Sequence, residues 1–564
     1  MTASVAATGA RGLGRILPVA IGGVAVLIAL LFLVYPLASA VIGAFVRNGQ
    51  PVTIANLTLV NFERFLISAS YQRALWHSIV TGAAATALAT IISLPMAYAV
   101  ARVSMPLRAT ILGLSVLPLI SPPFIGAYAW IILLGNNGIF TNLLRDYLGI
   151  GLPSIYGFLG VSVALALSYF PYVFLVLQGA FAAVDTHIEE AATIAGASRW
   201  RVLHTITLPM ILPTVAAGML IVFIKAIGDF GIPSILGGEY QMLPTLIYYQ
   251  IHGFFNLNGA AAIAMVNVAL TLLALAALAW INRTQTVATV SGTARSASRP
   301  LPTAMRWSAI AYVWLVLVVA NLPQAVTVLY SFSERWGGTL LPSVYGFENY
   351  RRIVGEIAGP AMNSVILAGG ATLVCLVFGA VTAHASARGR IAGRWAVDLI
   401  IMVPFVLPGL VIGVAYLVAF NEGPLVLTGT ATILILAYFT RRVAFVFRSA
   451  SAAILQLDRR LEEASTICGA SWAVTMRRIV LPLIAPALLA GGILVFATLI
   501  GEISVTVLLY SARWKTLTIS IYEYLLGNDI AKASALGTVT IVLTFALVAI
   551  ASRLAGRNMA DMFR

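Results

Sequence analysis

Two stretches of the sequence carry the same polar residues at the same spacing. The first, "EEAATIAGASRWRVLHTITLP", runs from Glu189 to Pro209, and the second, "EEASTICGASWAVTMRRIVLP", runs from Glu462 to Pro482. In both, a glutamate precedes small residues and, three residues later, a glycine. A carboxylate can bind an arginine of a partner, and small side chains let another surface come close. The pattern therefore predicts a docking element that is present twice.

Each polar stretch also has the composition of a short helix. Asp185 lies where a carboxylate complements a helix N-terminus, and Gly196 is placed to end the helix. The sequence thus predicts a short surface helix over residues 185–197. Pro209 and Pro482 fit the first turn of the next helix, where a missing N–H costs nothing.

The elements that must position these stretches are apolar. The 564 residues are 60% hydrophobic and 9% charged, with a mean hydropathy of +0.98. We count about twelve apolar segments long enough to cross a hydrocarbon core. Backbone groups in lipid must bond internally, which favours helices. The first segment, within residues 16–45, is too long for a cleavable signal peptide and is predicted to be retained.

The arginines predict the orientation of the chain. Every second loop is rich in arginine, although Arg351 and Arg352 fall on the opposite side. The positive-inside rule places the arginine-rich loops and both termini in the cytoplasm. The net charge of +15 is scattered rather than gathered on one face, which argues against nucleic acid as a partner. Two cysteines indicate no disulfide framework.

The chain repeats itself. An offset of 273 positions relates Asp185 to Asp458 and Gly196 to Gly469, and further upstream an offset of 286 relates Arg102 to Arg388. The first half therefore holds 13 extra residues, which we place within the segment "GNNGIFTNLLRDYLGIGLPSIYG", in an external loop. Six predicted spans in each half give both halves the same orientation, so that the repeat is parallel.

The predicted organisation has three parts. Residues 1–281 form the first repeat and residues 307–564 the second. Residues 282–306 are polar and rich in Ser, Thr, Ala and Arg, which predicts a flexible cytoplasmic linker. The expected fold is an all-α membrane protein of two parallel six-helix repeats.

The twice-repeated pattern, which continues to Ile and Leu-Pro, resembles the "EAA" loop of the membrane subunits of bacterial ABC importers. The chain resembles two such subunits fused end to end. Its length, its fusion and the segment "GDFGIPSILGG" are similar to the ferric-iron-type permeases. The resemblance implies a type I permease core in each half and a place in the bacterial inner membrane.

The resemblance also implies partners. The short helix of each half would dock on an ATPase subunit, so that two copies of a cytoplasmic ATPase are expected, with a periplasmic or lipid-anchored substrate-binding protein outside and lipid around the spans. The chain has no GxxxxGK[ST] phosphate-binding loop, so we expect no enzyme activity and no cofactor in it, and ATP-Mg in the partners. The implied docking residues are Glu190, Ala191, Ala192, Gly196, Glu463, Ala464, Ser465 and Gly469.

Ionisable residues within the spans are candidates for the translocation path. Asp229 and Glu502 correspond in the two halves and would either attract a cation or serve packing and gating. Arg441 and Arg442 would either bind an anion or snorkel toward the cytoplasm. Lys225 is predicted to form a local ion pair with Asp229 at i,i+4 spacing.

Two further patterns concern the spans. Prolines in "VLPLISPPF" and "VPFVLPGL" predict a kink or break in the third span of each half. The five histidines show no metal-ligand spacing, and we expect a structural or solvated role for them.

The expected function is that of a permease in an ABC importer. Ferric iron leads as the substrate on resemblance, with thiamine, phosphonate, polyamine and sugar phosphate as alternatives. A secondary transporter is the alternative from another class, because twelve spans in two parallel halves also describe that group. It would need no repeated cytoplasmic loop, and the loops therefore favour the ATPase-coupled function.

Overall fold

The computed structural model describes residues 22–283, 303–336, 341–388 and 394–554, which are mostly helical. The helices of the first half are α1 (Gly22–Ala44), α2 (Val60–Ile67), α3 (Ala69–Arg102), α4 (Arg108–Ile120), α5 (Pro123–Leu134), α6 (Ile139–Leu148), α7 (Phe158–Ala183), α8 (Thr186–Ile194), α9 (Trp200–Ile227), α10 (Gly231–Leu236), α11 (Leu243–His252) and α12 (Leu257–Arg283).

The second half repeats this order. Its elements are α13 (Thr303–Ser331), β1 (Ser333–Arg335), β2 (Val344–Tyr345), α14 (Glu348–Arg388), α15 (Arg394–Val406), α16 (Gly409–Phe420), α17 (Ala431–Gln456), α18 (Arg460–Ile467), α19 (Trp472–Ile500), α20 (Thr506–Leu509), α21 (Leu517–Leu526) and α22 (Ile530–Leu554). The two strands pair antiparallel as a small hairpin after α13. Of the predicted linker, residues 284–302 lie outside the described residues.

Among the described residues, ten segments are long and apolar enough to cross a membrane, one of them being α5 and α6 taken together, and the pair α15 and α16 makes an eleventh span. Helix α17 has 26 residues but carries three arginines, which make it less apolar. It packs against α14 and α19 as α7 packs against α3 and α9. The predicted all-α membrane fold of two six-span repeats is therefore confirmed.

The third span of each repeat is broken at its prolines, as the sequence predicts. Helix α4 ends at Ile120 and α5 begins at Pro123. In the second repeat α15 and α16 meet at a bend of 110°. Proline lacks the N–H of a helical hydrogen bond, so that the chain turns between the two parts of the span.

The two repeats interlock through their first spans. Helix α1 packs on α16 of the second repeat, and α13 packs on α4 and α5 of the first. The Tyr416 hydroxyl donates a hydrogen bond of 2.8 Å to the carbonyl of Phe32, which lies in a π-helical turn of α1. The Tyr312 hydroxyl donates one of 3.0 Å to the carbonyl of Ile92 in α3. Each repeat thus holds the other at the level of the broken spans.

The extra residues of the first repeat form an additional helix. Between α5 and α7 the chain builds α6, whereas the second repeat passes from α16 to α17 through turns alone.

Candidate functional site

The predicted docking helices are α8 and α18, one in each repeat. The carboxylate of Asp185 caps α8 by accepting a hydrogen bond of 2.9 Å from the N–H of His187. Both helices end at a glycine with positive φ, +87° at Gly196 and +82° at Gly469. The N–H of each glycine and of the next residue bond back to carbonyls in the last turn, which is a Schellman motif. The two repeats thus build the same helix with the same end.

One face of each docking helix is open. The side chains of Glu190 and Glu463 are 52% and 60% exposed, and each lies near a side chain of its own helix, His187 at 3.7 Å and Arg459 at 3.3 Å. Further along, an isoleucine in the last turn of each helix is almost fully exposed. The other predicted docking residues are exposed at Ala191, Gly196, Ala464 and Gly469 and half-buried at Ala192 and Ser465.

The glutamates that directly precede Glu190 and Glu463 point toward the spans of the protein, and sequence reasoning missed them. Glu189 is buried and pairs at 3.3 Å with Arg102, the last residue of α3, whose side chain is only 2% exposed. In the second repeat Glu462 pairs at 3.0 Å with Arg388, the last residue of α14. We call these two contacts the anchor pairs. They join each docking helix to the second span of its own repeat.

The same arginines also hold the start of each docking segment. Arg102 donates a hydrogen bond of 3.2 Å to the carbonyl of Val184, and Arg388 donates one of 2.7 Å to the carbonyl of Leu457, its counterpart. A charged hydrogen bond is stronger than a neutral one, and two contacts from one planar group fix an orientation. Each arginine therefore joins the end of its spanning helix to two points, the residue just before the docking segment and the glutamate in the first turn of the docking helix.

The anchor pairs differ in their third member. The hydroxyl of Thr207 donates a hydrogen bond of 2.7 Å to Glu189. Its counterpart Val480 has no hydroxyl, and Glu462 instead lies 3.3 Å from a ring nitrogen of His384. Each docking segment then continues into a spanning helix through a matching π-helical turn, Leu203–Thr207 or Met476–Val480. Pro209 and Pro482 lie in the first turn of the α-helical segments after these π-helical turns, Leu208–Ile227 and Leu481–Ile500, although the spanning helices themselves begin earlier.

A second group of polar residues lies at the ends of α9 and α19. Asp229 accepts a hydrogen bond of 2.5 Å from the Tyr169 hydroxyl and one of 2.8 Å from the N–H of Ile232. Glu502 accepts one of 3.2 Å from the N–H of Val505. Both carboxylates therefore cap the short helix that follows them, which is a structural role shared by the two repeats.

The second repeat adds two arginines at this point. Arg442, at the position of Tyr169, pairs with Glu502 at 3.1 Å, and Arg441 pairs with the same carboxylate oxygen. The side chains of Arg441 and Arg442 are 13% and 10% exposed, so neither snorkels toward the cytoplasm. The snorkelling alternative is therefore wrong for these two residues.

The predicted ion pair between Lys225 and Asp229 is also wrong. No such pair forms between these two described residues, and the Lys225 ammonium lies 5.9 Å from the centre of the Tyr172 ring. Spacing of i,i+4 brings side chains together only within a continuous helix. Helix α9 ends at Ile227, before Asp229.

The two repeats meet where the fifth span of each ends against the broken third span of the other. A Cβ on Gly228 would lie 3.0 Å from Cβ of Pro408 in the other repeat. A Cβ on Gly501 would lie 3.4 Å from Cγ of Pro122, again in the other repeat. Since each glycine and each proline matches its counterpart in the repeat, these contacts form a pseudo-twofold closure, which we call the glycine-proline seam.

Two parts of the chain, residues 89–287 and residues 375–560, each match the same protein family. Its members are described as binding-protein-dependent transport system inner membrane components. The chain belongs to this family. Its two matches make it a fused transport component with two repeats, and its apolar helices make it a multi-pass protein of the inner membrane.

Relatives of this transport component fall into two sizes. A ferric transport system permease protein of Actinobacillus pleuropneumoniae is 29% identical over 93% of this chain and 76% of its own length. A putative ferric transport system permease protein of Haemophilus influenzae is 30% identical over 86% of this chain and 77% of its own. A molybdenum transport system permease protein of Escherichia coli is 30% identical over only 37% of this chain but 93% of its own length. The last corresponds in length to one repeat.

The seam gives this transport component a testable asymmetry. We expect Gly228→Ala to lower transport much more than Gly501→Ala, because the new methyl group at Gly228 would be crowded by Pro408 and by the carbonyl of Ile224 at 3.1 Å. At Gly501 the methyl group would make ordinary contact. Initial rates of substrate uptake by the two variants, at equal amounts in the membrane, measure the difference. Equal rates would contradict the close approach of Gly228 to Pro408.

Proposed function

We propose that this chain is the permease of an ATP-driven importer of ferric iron. The single observation that carries the ATP-driven part is that both repeats present the same anchored helix with the same open face. The substrate is supported by the two ferric permease proteins that match most of the chain. A secondary transporter would have no use for two matched docking helices.

In this proposal α8 and α18 each dock on one copy of a cytoplasmic ATPase that binds ATP-Mg. Glu190 and Glu463 offer carboxylates to the partner, and small residues beside them allow close contact. Both termini lie in the cytoplasm, on the same side as the docking helices. A periplasmic or lipid-anchored binding protein delivers the substrate to the opposite side.

The anchor pairs transmit the movement of the ATPases to the spanning helices. When the ATPases close, each docking helix moves with its ATPase, and Arg102 and Arg388 pull the ends of α3 and α14 along. The interlocked spans then shift together, and the glycine-proline seam opens. A docking helix can shift the equilibrium between the closed and the open seam only through contacts that differ between these two states. A rigid link from the docking helix to the spans is therefore needed.

The substrate is tested with the chain, its ATPase and its binding protein reconstituted in liposomes. We expect ATP-dependent accumulation of radioactive ferric iron that stops when ATP is replaced by ADP. Thiamine, a phosphonate, a polyamine and a sugar phosphate are offered in parallel as competitors. Accumulation of one of these in place of iron would overturn the substrate, and accumulation without ATP hydrolysis would overturn the coupling.

A further inference from the structure

The region around the glycine-proline seam holds more positive than negative charge. Three cations, Lys225, Arg441 and Arg442, interact electrostatically there with one another and with two carboxylates, Asp229 and Glu502. Asp229 is already engaged by a tyrosine hydroxyl and a backbone N–H. The cations thus outnumber the carboxylates by three to two, and among the described residues only Glu502 forms an ion pair with any of the three. We call these five residues the central cluster.

Glu502 does not satisfy all three cations. Arg441 and Arg442 share one of its oxygens, and within the described residues Nε of Arg442 finds no hydrogen-bond acceptor. Among the described residues Lys225 forms no hydrogen bond or ion pair, and its ammonium group lies over the ring of Tyr172. Positive charge that is withdrawn from water without a matching anion is unfavourable.

The shared fold does not require these cations. At the matching positions the other repeat has Ser168 for Arg441, Tyr169 for Arg442, and Thr498 for Lys225. Those neutral residues support the same helices, and buried Asp229 accepts its hydrogen bond from Tyr169, the residue at the position of Arg442. The surplus positive charge is therefore not required by the fold. We look for its role in the binding of the transported substrate.

The cations border the contact between the repeats. Gly409 follows Pro408 of the seam, and a Cβ on it would lie 2.5 Å from Nη1 of Arg441. Lys225 and Arg441, the latter with 13% of its side chain exposed, are the less buried members of the central cluster, whereas Glu502 is buried. The accessible side of the central cluster is thus its positive side.

We propose that the central cluster receives an oxyanion, so that iron crosses as a complex with an oxygen-rich anion and not as a bare cation. This inference rests on the proposed function. A guanidinium presents a planar fork of donors that matches carboxylate or phosphate oxygens, and an ammonium adds a point charge. A bare ferric ion would be repelled by the same three cations, whereas an anionic complex would offset their surplus charge.

Doubly labelled substrate tests this in liposomes that contain the chain, its ATPase and its binding protein. Ferric iron is supplied with labelled citrate, and labelled inorganic phosphate is supplied alone as the free oxyanion. We expect iron and citrate to enter in a fixed ratio. Lys225→Thr and Arg441→Ser, which install the residues of the other repeat, are expected to lower the rate of entry about tenfold. Lys225→Arg should retain it, and Lys532→Thr, which removes a cation distant from the cluster, serves as the control.

The outcomes separate the inference from the proposed function. Entry of iron without citrate would overturn the inference and leave the iron importer standing. Entry of phosphate in its own arm, with no entry of iron from ferric citrate, would support an oxyanion path and overturn iron as the substrate. Co-entry at an unchanged rate in Lys225→Thr and Arg441→Ser would overturn the assignment to the central cluster. Entry of neither label would overturn both proposals.

Discussion

Replacing Glu189 with leucine is expected to separate ATP hydrolysis from transport. The substitution leaves the guanidinium of Arg102, 2% exposed, without its countercharge. Removing one partner of a buried pair costs about 3–5 kcal/mol. The docking helix α8 should then no longer move α3 with it. The measurement is the number of ATP molecules hydrolysed for each iron taken up in liposomes, which we expect to rise at least about tenfold.

The chain offers two controls for this variant. Glu462→Leu breaks the other anchor pair, whose side chains are 15% and 20% exposed, so that water replaces part of the lost interaction and the effect should be smaller. Thr207→Val removes one hydrogen bond to Glu189 and installs the residue that the second repeat has at Val480. It should couple almost normally. Equal coupling in Glu189→Leu and Thr207→Val would contradict a mechanical role for the anchor pair.

Local and repetitive features of the site could be predicted from the sequence. The helix that ends at Gly196 follows from backbone chemistry within a few residues. The broken third spans follow from prolines that cannot continue a helix. The repeat offsets predicted the correspondence of Asp229 with Glu502, which the matching caps at Ile232 and Val505 bear out.

The inward-facing contacts could not be predicted in the same way. Which glutamate of each doublet is buried depends on the rotation of α8 relative to α3, and no local pattern encodes it. A signal was nevertheless present, because Arg102 and Arg388 correspond in the repeat and each lies at the end of a spanning helix. Two adjacent glutamates in the docking helix, together with an arginine that recurs at the end of the second span of both repeats, form the pattern that could have identified the anchor pairs.

The errors have a related cause. The interpretation of Lys225 assumed a helix that continues to Asp229, whereas α9 stops at Ile227 to begin the turn into α10. For Arg441 and Arg442, the sequence left open whether they face outward or inward. Their partner Glu502 is 60 or more positions away, so only the packing of α17 against α19 decides the question.

The second large effect concerns the glycines that end the docking helices. Valine is β-branched and strongly disfavoured at the positive φ of Gly196 and Gly469, and the strain is on the order of 1–3 kcal/mol at each position. Among the described residues, and apart from the neighbours in sequence, no atom lies within 4 Å of a Cβ built on either glycine. The substitutions therefore crowd no described part of the chain, and they change only the end of the docking helix and any partner that binds there.

The most direct measurement is copurification of the ATPase with a Gly196→Val, Gly469→Val double variant, together with ATP-driven uptake. Gly179→Val is the control, because a Cβ there also meets open space but the backbone is ordinary α-helix. If α8 and α18 are the two sites at which separate ATPases drive the membrane body, the double variant will remain in the membrane but will lose both the ATPase and uptake. Retention of the ATPase with normal uptake in the double variant would contradict that claim.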